Sequence, residues 1–280
     1  MNPRSIARQA RRKLELSRRV RGWPAAAGDT RPRLVITGAG GKIGRVLRAG
    51  LESDNAVLGL DIRRCPGVDR VADMRRLDRI APAFEGVDAV IDLAADSSAS
   101  ASWESVIRNN VASTAAVLEA ARRAGVPRVV LASSNHVTGM YDHDEPYASI
   151  LAGSYAGIEP GSFTRIGTGA PIRPDGPYAV GKVLAEAAGR YYSDAFRLSV
   201  ICLRIGQVNM ENKPKTESHW ATLLTHRDLV ELVRCCLAAP PSVRYGVFYG
   251  VSANTWRIWE IDDAREILGF TPRDDAESMR

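Results

Sequence analysis

A tyrosine and a lysine one helical turn apart have a spacing that suggests chemistry. Tyr178 and Lys182 stand at positions i and i+4 in DGPYAVGK, so their side chains share one face of a helix. An ammonium group beside a phenol stabilises the phenolate, which makes the tyrosine a usable general base. The pair therefore predicts proton transfer to or from a substrate. The alternative is a packed ring with a lysine that reaches solvent.

Four polar residues crowd the end of an apolar run in LASSNHVTGM (131–140). Ser133, Ser134, Asn135 and His136 follow VVLA, which is typical of a strand buried on both faces. In open parallel sheets, ligands bind in the crevice beyond the carboxyl ends of the strands. We therefore expect these four side chains to face a cofactor. For His136, a structural role as a cap on the strand end is the alternative.

A glycine motif marks the other half of the expected crevice. LVITGAGGKIG leads from a strand into a helix, and its spaced glycines are Gly38, Gly41 and Gly44. Such glycines let the backbone approach a pyrophosphate, whose charge is stabilised by free amides at the helix N-terminus, although they could also serve only a tight turn. Asp61, 23 residues beyond Gly38, would bind the adenosine ribose and repel a 2′-phosphate, which favours NAD over NADP. Arg63 and Arg64 weaken that preference, because either could neutralise a phosphate.

These residues need a scaffold, and the chain alternates short apolar runs with helical patterns. Runs rich in Val, Ile and Leu predict buried strands at 33–37, 56–61, 88–94, 128–132 and 199–204. Helices are predicted over 103–124, 225–238 and 260–268, and a further strand over 246–250. The alternation predicts an α/β fold: a doubly wound parallel sheet (Rossmann fold) with a small C-terminal substrate-binding part.

The chain divides into an N-terminal extension and one folded body. Residues 1–32 are predicted to form a basic extension and linker, and residues 33–280 the folded domain, with its substrate-binding part from about residue 207. Residues 141–177 are rich in Gly, Pro, Ser, Tyr and Asp without a sustained period, and they are too long for an ordinary connection. We expect this insertion to be a lid over the site or a mobile segment.

The net charge of +6 comes from the extension. Residues 1–33 carry ten Lys or Arg and two acidic residues, a net charge of +8, which leaves −2 for the rest of the chain. The folded body therefore offers no electrostatic reason to expect a nucleic-acid partner. Residues 5–21 could form a basic helix that binds an anionic membrane, a nucleic acid or a protein, or they could be a solvated extension.

Composition also limits the cellular setting and the metal content. No apolar run approaches the ~20 residues that span a bilayer, and no signal sequence opens the chain, so we expect a soluble, cytoplasmic protein without a transmembrane segment. The four cysteines lack the spacing of a disulfide framework, and we expect them to be reduced. His143, His219 and His226 lack metal-ligand spacing, so no metal is expected.

Taken together, these motifs resemble those of the extended short-chain dehydrogenase/reductase family over nearly all of residues 33–270. TGAGGKIG is similar to the family's glycine motif, and DLAAD (92–96) to the motif that lines the nicotinamide. The resemblance implies that Ser134 polarises the substrate oxygen, Tyr178 moves the proton, and Lys182 also holds the nicotinamide ribose. It implies cofactor contacts at Gly38, Gly41, Lys42, Ile43, Gly44, Asp61, Ile62, Asp73, Met74, Leu93, Ala94, Ala95 and Asn110.

A closer likeness is to bacterial uronate dehydrogenases, in ASSNHVTGMY, RPDGPYAVGK, HWATLLTHRDLV and GFTPRDDAE. Those enzymes oxidise C1 of galacturonate or glucuronate to a lactone with NAD, which implies a similar oxidation of a sugar, a uronic acid or a related modified sugar. Lys215 aligns with their carboxylate-binding arginine, although a lysine lacks the bidentate fork. The longer insertion at 141–177, and Gln207 where those enzymes have serine, argue for a changed or larger substrate. The implied substrate contacts are Ser97, Ser134, Asn135, His136 and Lys215.

Two other functions stay open. A nucleotide-sugar epimerase or dehydratase would recycle its hydride internally, but the family's dehydratases use Thr-Asp-Glu where this chain has Ser134-Asn135-His136. The part after the sixth strand is also small for gripping a nucleotide. A non-catalytic NAD-sensing protein would need the glycine loop but no Tyr178–Lys182 pair. Relatives commonly pair through the helices that carry Asn110 and Tyr178, which implies a homodimer or a higher homo-oligomer.

Overall fold

A parallel sheet of seven strands forms the centre of the computed structural model, which describes residues 28–280. The sheet has the order β3-β2-β1-β4-β5-β6-β7, and every neighbouring pair is parallel. The chain therefore starts in the middle and winds outward on both sides. The strands are β1 (Arg33–Thr37), β2 (Ala56–Asp61), β3 (Arg70–Val71), β4 (Ala89–Asp92), β5 (Arg128–Ser134), β6 (Ser199–Ile205) and β7 (Tyr245–Gly250).

Helices lie on both faces of this sheet. They are α1 (Lys42–Leu51), α2 (Leu77–Ile80), α3 (Trp103–Ser105), α4 (Ala112–Ala124), α5 (Tyr147–Leu151), α6 (Pro177–Phe196), α7 (His219–Thr222), α8 (His226–Ala238) and α9 (Asp262–Leu268). A π-helix, Val106–Val111, joins α3 to α4, so these three elements together occupy the range predicted as one helix. Three 3₁₀ segments lie at Ala81–Phe84, Asn135–His143 and Ala276–Met279.

Two apolar layers attach the helices to the sheet. Strand β1 illustrates the division, because successive side chains of a strand point to opposite faces. Ile36 packs with Leu47 of α1 and Leu229 of α8 on one face. Val35 packs with Val117 of α4 and Ala185 of α6 on the other. Both layers are fully buried, which explains why the strands read as continuous apolar runs.

A third apolar cluster ties residues 141–177 to the C-terminal part of the chain. Tyr155 stacks on Trp256 with 4.0 Å between ring centroids. Ile166 forms a parallel bridge with Trp259, and its N–H donates to the carbonyl of Ile258 at 2.8 Å. The insertion therefore carries its own short helix, α5, and packs on a core of nine buried residues that includes both tryptophans. Its role as a lid remains a prediction.

The structure confirms the predicted fold class, an α/β doubly wound parallel sheet. Strands β1 and β2 begin and end where the apolar runs predicted, whereas β5 continues two residues further, to Ser134. The two-residue strand β3 was not predicted, because it is too short to show a pattern. Among residues 28–280, no helix is both long and apolar enough to cross a membrane. The predicted basic helix at 5–21, and most of the predicted extension 1–32, lie outside the described residues.

Candidate active site

The glycine motif forms a tight turn between β1 and α1, packed against the residue that follows β4. Gly38 has φ +66°, and a Cβ atom on it would lie 2.9 Å from the carbonyl group of Leu93. A Cβ on Gly44 would lie 2.6 Å from the Gly38 carbonyl oxygen, which also accepts from the N–H of Gly41 at 3.0 Å. No side chain caps the start of α1. The turn thus leaves helix amides available to a pyrophosphate.

Asp61 lies beside this turn, at the end of β2. Its Oδ2 accepts from the N–H of Gly40 and its Oδ1 from the N–H of Arg63, both at 3.0 Å. Each carboxylate oxygen keeps a second lone pair for a ribose hydroxyl. Arg63 and Arg64 are exposed, and their guanidinium groups have no hydrogen-bond partner among residues 28–280. The glycine cradle and this carboxylate fit a dinucleotide.

We predict that Asp61→Ala shifts the cofactor preference toward NADP. The substitution removes the charge that repels a 2′-phosphate and the acceptor for the ribose, while both arginines stay available. We expect the ratio of kcat/KM for NADP to that for NAD to rise by about 10- to 100-fold, which corresponds to roughly 1–3 kcal/mol. Asp61→Asn, which keeps an acceptor but no charge, should give an intermediate ratio. An unchanged ratio in both variants would contradict the assignment.

The remaining predicted contacts on the adenine side differ in their surroundings. Both carboxylate oxygens of Asp73 accept from the guanidinium of Arg75, and this ion pair lowers the pKa of Asp73. Any adenine contact from this residue must therefore share the carboxylate with the arginine. These contacts stay predictions. Of the other predicted cofactor contacts, Lys42 and Ile62 are exposed. Ile43 and Met74 pack against the two apolar layers of the core.

A buried threonine and aspartate organise the segment after β4. The Thr37 hydroxyl donates to Asp92 Oδ1 at 2.5 Å and accepts from the N–H groups of Leu93 and Ala94 at 3.2 Å. Burial raises the pKa of Asp92, an effect that the Thr37 hydrogen bond opposes. The pair fixes the path of the DLAAD segment across the mouth of the glycine turn. Its backbone can therefore line a cofactor without contributing charged side chains.

Asn110 clamps the same segment from the π-helix. Its Oδ1 accepts from the N–H of Asp96 at 2.7 Å, and its Nδ2 donates to the carbonyl of Asp96 at 3.1 Å. The side chain is buried, so both ends of the amide are used within the protein. Asn110 therefore fixes the backbone of this segment. Direct contact with a cofactor, like the predicted contacts of Ala95 and Ser97, stays a prediction.

Two of the predicted catalytic residues, Tyr178 and Lys182, lie together beside β5, and the third, Ser134, is the last residue of that strand. The buried Lys182 ammonium donates to the carbonyl of Ala132 at 2.7 Å and lies 5.7 Å from the centroid of the Tyr178 ring. Ser134 ends the strand, and its hydroxyl oxygen accepts from the N–H of His136 at 3.3 Å. The His136 ring stands edge-on to Tyr178, with 5.9 Å between centroids. The strand end and the first turns of α6 thus bring these side chains into one neighbourhood.

Close packing against the π-helix sets the position of α6. A Cβ atom on Gly181 would lie 2.5 Å from Cγ1 of Val106, so the two helices touch where α6 carries its tyrosine and lysine. Pro177 begins the helix, a position that suits proline because the first helical N–H has no intrahelical partner. Tyr178 therefore sits in the first turn, next to the crevice, and Lys182 one turn deeper.

One residue of the SSNH cluster does not face the crevice, so that expectation was wrong for Ser133. Its hydroxyl donates to Glu186 of α6 at 2.6 Å, in the protein interior. Arg204 of β6 donates to both oxygens of the same carboxylate at 3.0 Å. Tyr249 continues the network, accepting from Arg204 at 3.4 Å and contacting the Thr138 hydroxyl at 2.8 Å.

A histidine and two carboxylates form a cluster that the sequence did not reveal. His136 Nδ1 lies 2.5 Å from Oδ2 of Asp175, and Asp142 lies close enough to interact electrostatically with both. The Asp142 carboxylate makes no hydrogen bond to residues 28–280, and its burial raises its pKa to about 6. Asp175 also raises the pKa of Asp142, whereas His136 and His143 oppose the rise. Asp175 stands three residues before Tyr178 in RPDGPYAVGK, which is the signal that could have drawn attention to it.

We predict that Asp142→Asn stabilises the protein, and more so at higher pH. Between pH ~4 and about 6 the folded protein holds a proton on Asp142 that the unfolded chain has released, so stability falls as the pH rises. The neutral amide removes this penalty. At pH 7.5 we expect the free energy of unfolding in urea to increase by about 1–2 kcal/mol. This is less than the full pKa difference would give, because the carboxylate is partly exposed and solvent screens its charge. At pH 4.5 the gain should be clearly smaller; a pH-independent effect would rule out the titration.

The predicted substrate contacts near the C-terminal part are more open. Lys215 is exposed, and its ammonium pairs with Glu211. A sugar carboxylate would have to compete with that glutamate, so Lys215 remains a prediction. Gln207 joins its backbone to Thr222 and Leu224, each at 2.8 Å, which ties the end of β6 to α7. Across residues 28–280, no group of three His, Cys, Asp or Glu residues could hold a metal ion.

The NAD dependent epimerase/dehydratase family matches residues 34–231 of this chain, which is well over half of its length. The chain belongs to this family. The NAD-dependent glucose-6-phosphate dehydrogenase of Haloferax volcanii is 35% identical over 254 residues, covering 87% of this chain and 94% of that protein. The L-arabinose 1-dehydrogenase (NAD(P)(+)) of the same organism is 32% identical, covering 88% of this chain and 98% of that protein.

Solved structures of uronate dehydrogenases share this fold. A variant of the uronate dehydrogenase from Agrobacterium tumefaciens, complexed with NAD, aligns with a TM-score of 0.74 at 28% identity, covering 90% of this chain and 88% of that one. The predicted resemblance to the extended short-chain dehydrogenase/reductase family, and to uronate dehydrogenases within it, is therefore confirmed. The match to an NAD complex is also consistent with the fit of the glycine cradle to a dinucleotide.

Proposed function

We propose that this protein is an NAD-dependent dehydrogenase that oxidises a hydroxyl-bearing carbon of a sugar or uronic acid. The observation that carries the proposal is the junction at the end of β5. There the buried Lys182 ammonium donates to the Ala132 carbonyl at 2.7 Å and lies 5.7 Å from the centroid of the Tyr178 ring, and Ser134 ends the strand two residues after Ala132. A glycine cradle with an acidic residue at the end of the next strand stands on the same edge of the sheet. A nucleotide sensor would need only the cradle.

Each catalytic side chain has a distinct task in this proposal. Ser134 donates a hydrogen bond to the oxygen of the reacting hydroxyl, and Tyr178, as phenolate, accepts its proton. Lys182 stabilises the phenolate and, with its remaining donors, holds the nicotinamide ribose. Because the ammonium is buried and held by the Ala132 carbonyl, its position is set before any ligand binds. NAD, when bound, supplies the acceptor for the hydride that leaves the carbon.

The anomeric C1 hydroxyl is the proposed site of oxidation, with a lactone as the product. The proposal is supported by relatives named for glucose 6-phosphate, L-arabinose and uronate, which share an oxidisable anomeric centre. Ser97, Asn135, His136 and Lys215 are the proposed substrate contacts. Two carboxylates, Asp142 and Asp175, lie near His136, and the positive charge of Lys215 is paired with Glu211. This balance favours the hydroxyl-rich part of a sugar near His136 over an anionic group.

The test is an assay of NADH formation with a panel of neutral aldoses, uronates and sugar phosphates. We expect turnover with at least one aldose or uronate, and a lactone as the first product by NMR. Protein carrying Tyr178→Phe gives the background rate. No turnover with any member of the panel would overturn the proposed substrate class. Turnover of a nucleotide sugar without added NAD, by protein that purifies with its cofactor, would instead identify an epimerase.

We also propose that the protein is a homodimer or a higher homo-oligomer. Large apolar side chains are exposed on the π-helix with its neighbour α3, and on α6, which pack against each other. Ile107 is 59% exposed and Tyr191 58%, and Trp103 and Leu184 are also exposed. A second copy of the chain would cover this face. Sedimentation analysis of the wild type and of Ile107→Glu/Leu184→Glu tests this: a monomer in both cases would contradict it.

A cytoplasmic location is part of the same proposal. All four cysteines are free in the structure, and two of them, Cys202 and Cys236, are fully buried. Burial raises the pKa of both thiols well above the usual range, which suppresses the reactive thiolate. Such thiols are typical of a reducing compartment. Fractionation of the native host cells, with antibody detection, would test the location.

A further inference from the structure

The pairing of His136 with Asp175 determines which ring nitrogen of the histidine is free. A carboxylate oxygen can only accept a hydrogen bond, so the 2.5 Å contact with Asp175 Oδ2 requires the proton to be on Nδ1. In the neutral ring, Nε2 then carries a lone pair. Nε2 has no hydrogen-bond partner among residues 28–280, and 36% of the His136 side chain is exposed. The partly exposed ring therefore keeps one acceptor free for a ligand.

Asp175 itself is held firmly in place. It lies in residues 173–176, called the strap below, which are hydrogen-bonded to the 3₁₀ segment Asn135–His143. The Arg173 N–H donates to the Val137 carbonyl at 3.1 Å, and the Met140 N–H donates to the Arg173 carbonyl at 2.9 Å. A Cβ atom on Gly139 would lie 2.2 Å from Oδ2 of Asp175, so the carboxylate occupies the space that any other residue would need. The strap leads directly into α6, so the carboxylate and Tyr178 share one rigid support.

The neighbouring cation does not compete for this carboxylate. The Arg173 guanidinium pairs with Asp144 and lies 4.5 Å from the centroid of the Tyr141 ring. The charged and titratable groups near the His136 ring are therefore Asp142, Asp175 and Tyr178, with His143 beyond Asp142. Of these, only Asp175 makes a hydrogen bond to the ring. It alone fixes the direction of the histidine.

We infer that Asp175 is a positioning residue for substrate recognition. It holds His136 in the Nδ1–H form, and the free Nε2 accepts a hydrogen bond from a sugar hydroxyl next to the carbon that is oxidised. This role rests on the proposed function, since Tyr178, 5.9 Å away between ring centroids, marks where the reacting hydroxyl binds. The inference assigns to the site a requirement for a neighbouring hydroxyl donor, which an anionic group could not meet.

The first experiment reads the histidine directly and needs no substrate. Long-range ¹H–¹⁵N spectra of the ¹⁵N-histidine-labelled full chain at pH 8 distinguish the two tautomers, and His136→Gln identifies the signal. We expect the Nδ1–H form in the wild type and a shift toward the Nε2–H form in Asp175→Ala. An Nε2–H form in the wild type, or no change in Asp175→Ala, would overturn the inference even if the protein oxidises sugars. If no sugar is oxidised, the proposed function fails, but the NMR spectra still test whether Asp175 sets the tautomer of His136.

The second experiment tests the coupling in turnover. We expect Asp175→Ala to lower kcat/KM by about 10- to 100-fold, mainly through KM, for a sugar with the neighbouring hydroxyl. For the corresponding deoxy sugar, the variant and the wild type should differ by less than about threefold. The double variant His136→Gln/Asp175→Ala should be no slower than the slower single variant, because both remove the same interaction.

A matched control separates positioning from loosening of the strap. Asp144→Ala removes the partner of Arg173 in the same strap without touching His136. It should leave the tautomer and kcat/KM close to those of the wild type. If Asp144→Ala lowers kcat/KM as much as Asp175→Ala does, the role of Asp175 is structural and the inference is wrong. The same holds if the separate effects of His136→Gln and Asp175→Ala on kcat/KM multiply in their double variant.

Discussion

Tyr178→Phe is expected to reduce turnover by at least about 10³-fold while leaving NAD affinity within about threefold of the wild type. The substitution removes one oxygen atom, the proposed proton acceptor, and keeps the ring that packs edge-on against His136. Lys182 retains its hydrogen bond to the Ala132 carbonyl, so the support for the cofactor is unchanged. The measurements are kcat from NADH formation and the dissociation constant of NAD from fluorescence quenching.

Tyr191→Phe is the matched control for this variant. Tyr191 lies on the same helix, the residue is 58% exposed, and its hydroxyl makes no hydrogen bond within residues 28–280. Removing that oxygen should leave kcat unchanged. A Tyr178→Phe variant that keeps more than a tenth of the wild-type kcat would remove the proton-transfer role of Tyr178. The protein would then be a nucleotide-binding fold whose chemistry, if any, lies elsewhere.

Arg204→Leu is expected to lower the free energy of unfolding by about 3–5 kcal/mol. The Arg204 and Glu186 side chains are 3% and 7% exposed, and two hydrogen bonds of 3.0 Å join them. Without the guanidinium, Glu186 keeps only the Ser133 hydroxyl as a side-chain donor, so a charge is buried without a counter-charge. Urea unfolding at pH 7.5 measures the loss.

Two further variants show whether the loss comes from the unpaired charge. Arg190→Leu removes the same group from an exposed pair with Asp194, and it should cost no more than about 1 kcal/mol. Arg204→Leu/Glu186→Met removes both charges and should recover much of the stability. If Arg204→Leu costs as little as Arg190→Leu, the buried pair is not a significant support for the end of β5.

The strands of the sheet could be predicted from the sequence because a strand that is buried on both faces is a continuous run of apolar residues. RLVIT and AVLGLD became β1 and β2 with the predicted limits, since each residue of such a strand must be apolar. Strand β5 ran two residues further because Ser133 and Ser134 are buried with their polar atoms bonded. Periodicity cannot reveal that kind of burial, because it depends on partners far away in the chain.

The residues that surround the candidate site were harder to predict for the same reason. Glu186 and Arg204 are 18 positions apart on different elements, and nothing local marks them as partners. Asp142 and Asp175 come from a segment without a period, and only its folded path brings them to His136. The motif residues Tyr178 and Lys182 were readable because their relation is local, one turn of a single helix. Long-range polar pairing thus marks the limit of inference from one sequence.

The stacking of Tyr155 on Trp256 has a consequence for how ligands enter and leave. Residues 141–177 share an apolar core with the final strand and the loop after it, so this segment cannot swing away alone without exposing two aromatic rings to water. If residues 141–177 act as the predicted lid, they can open only together with the loop that follows β7. Amide exchange would report this as shared protection factors for both stretches of the chain.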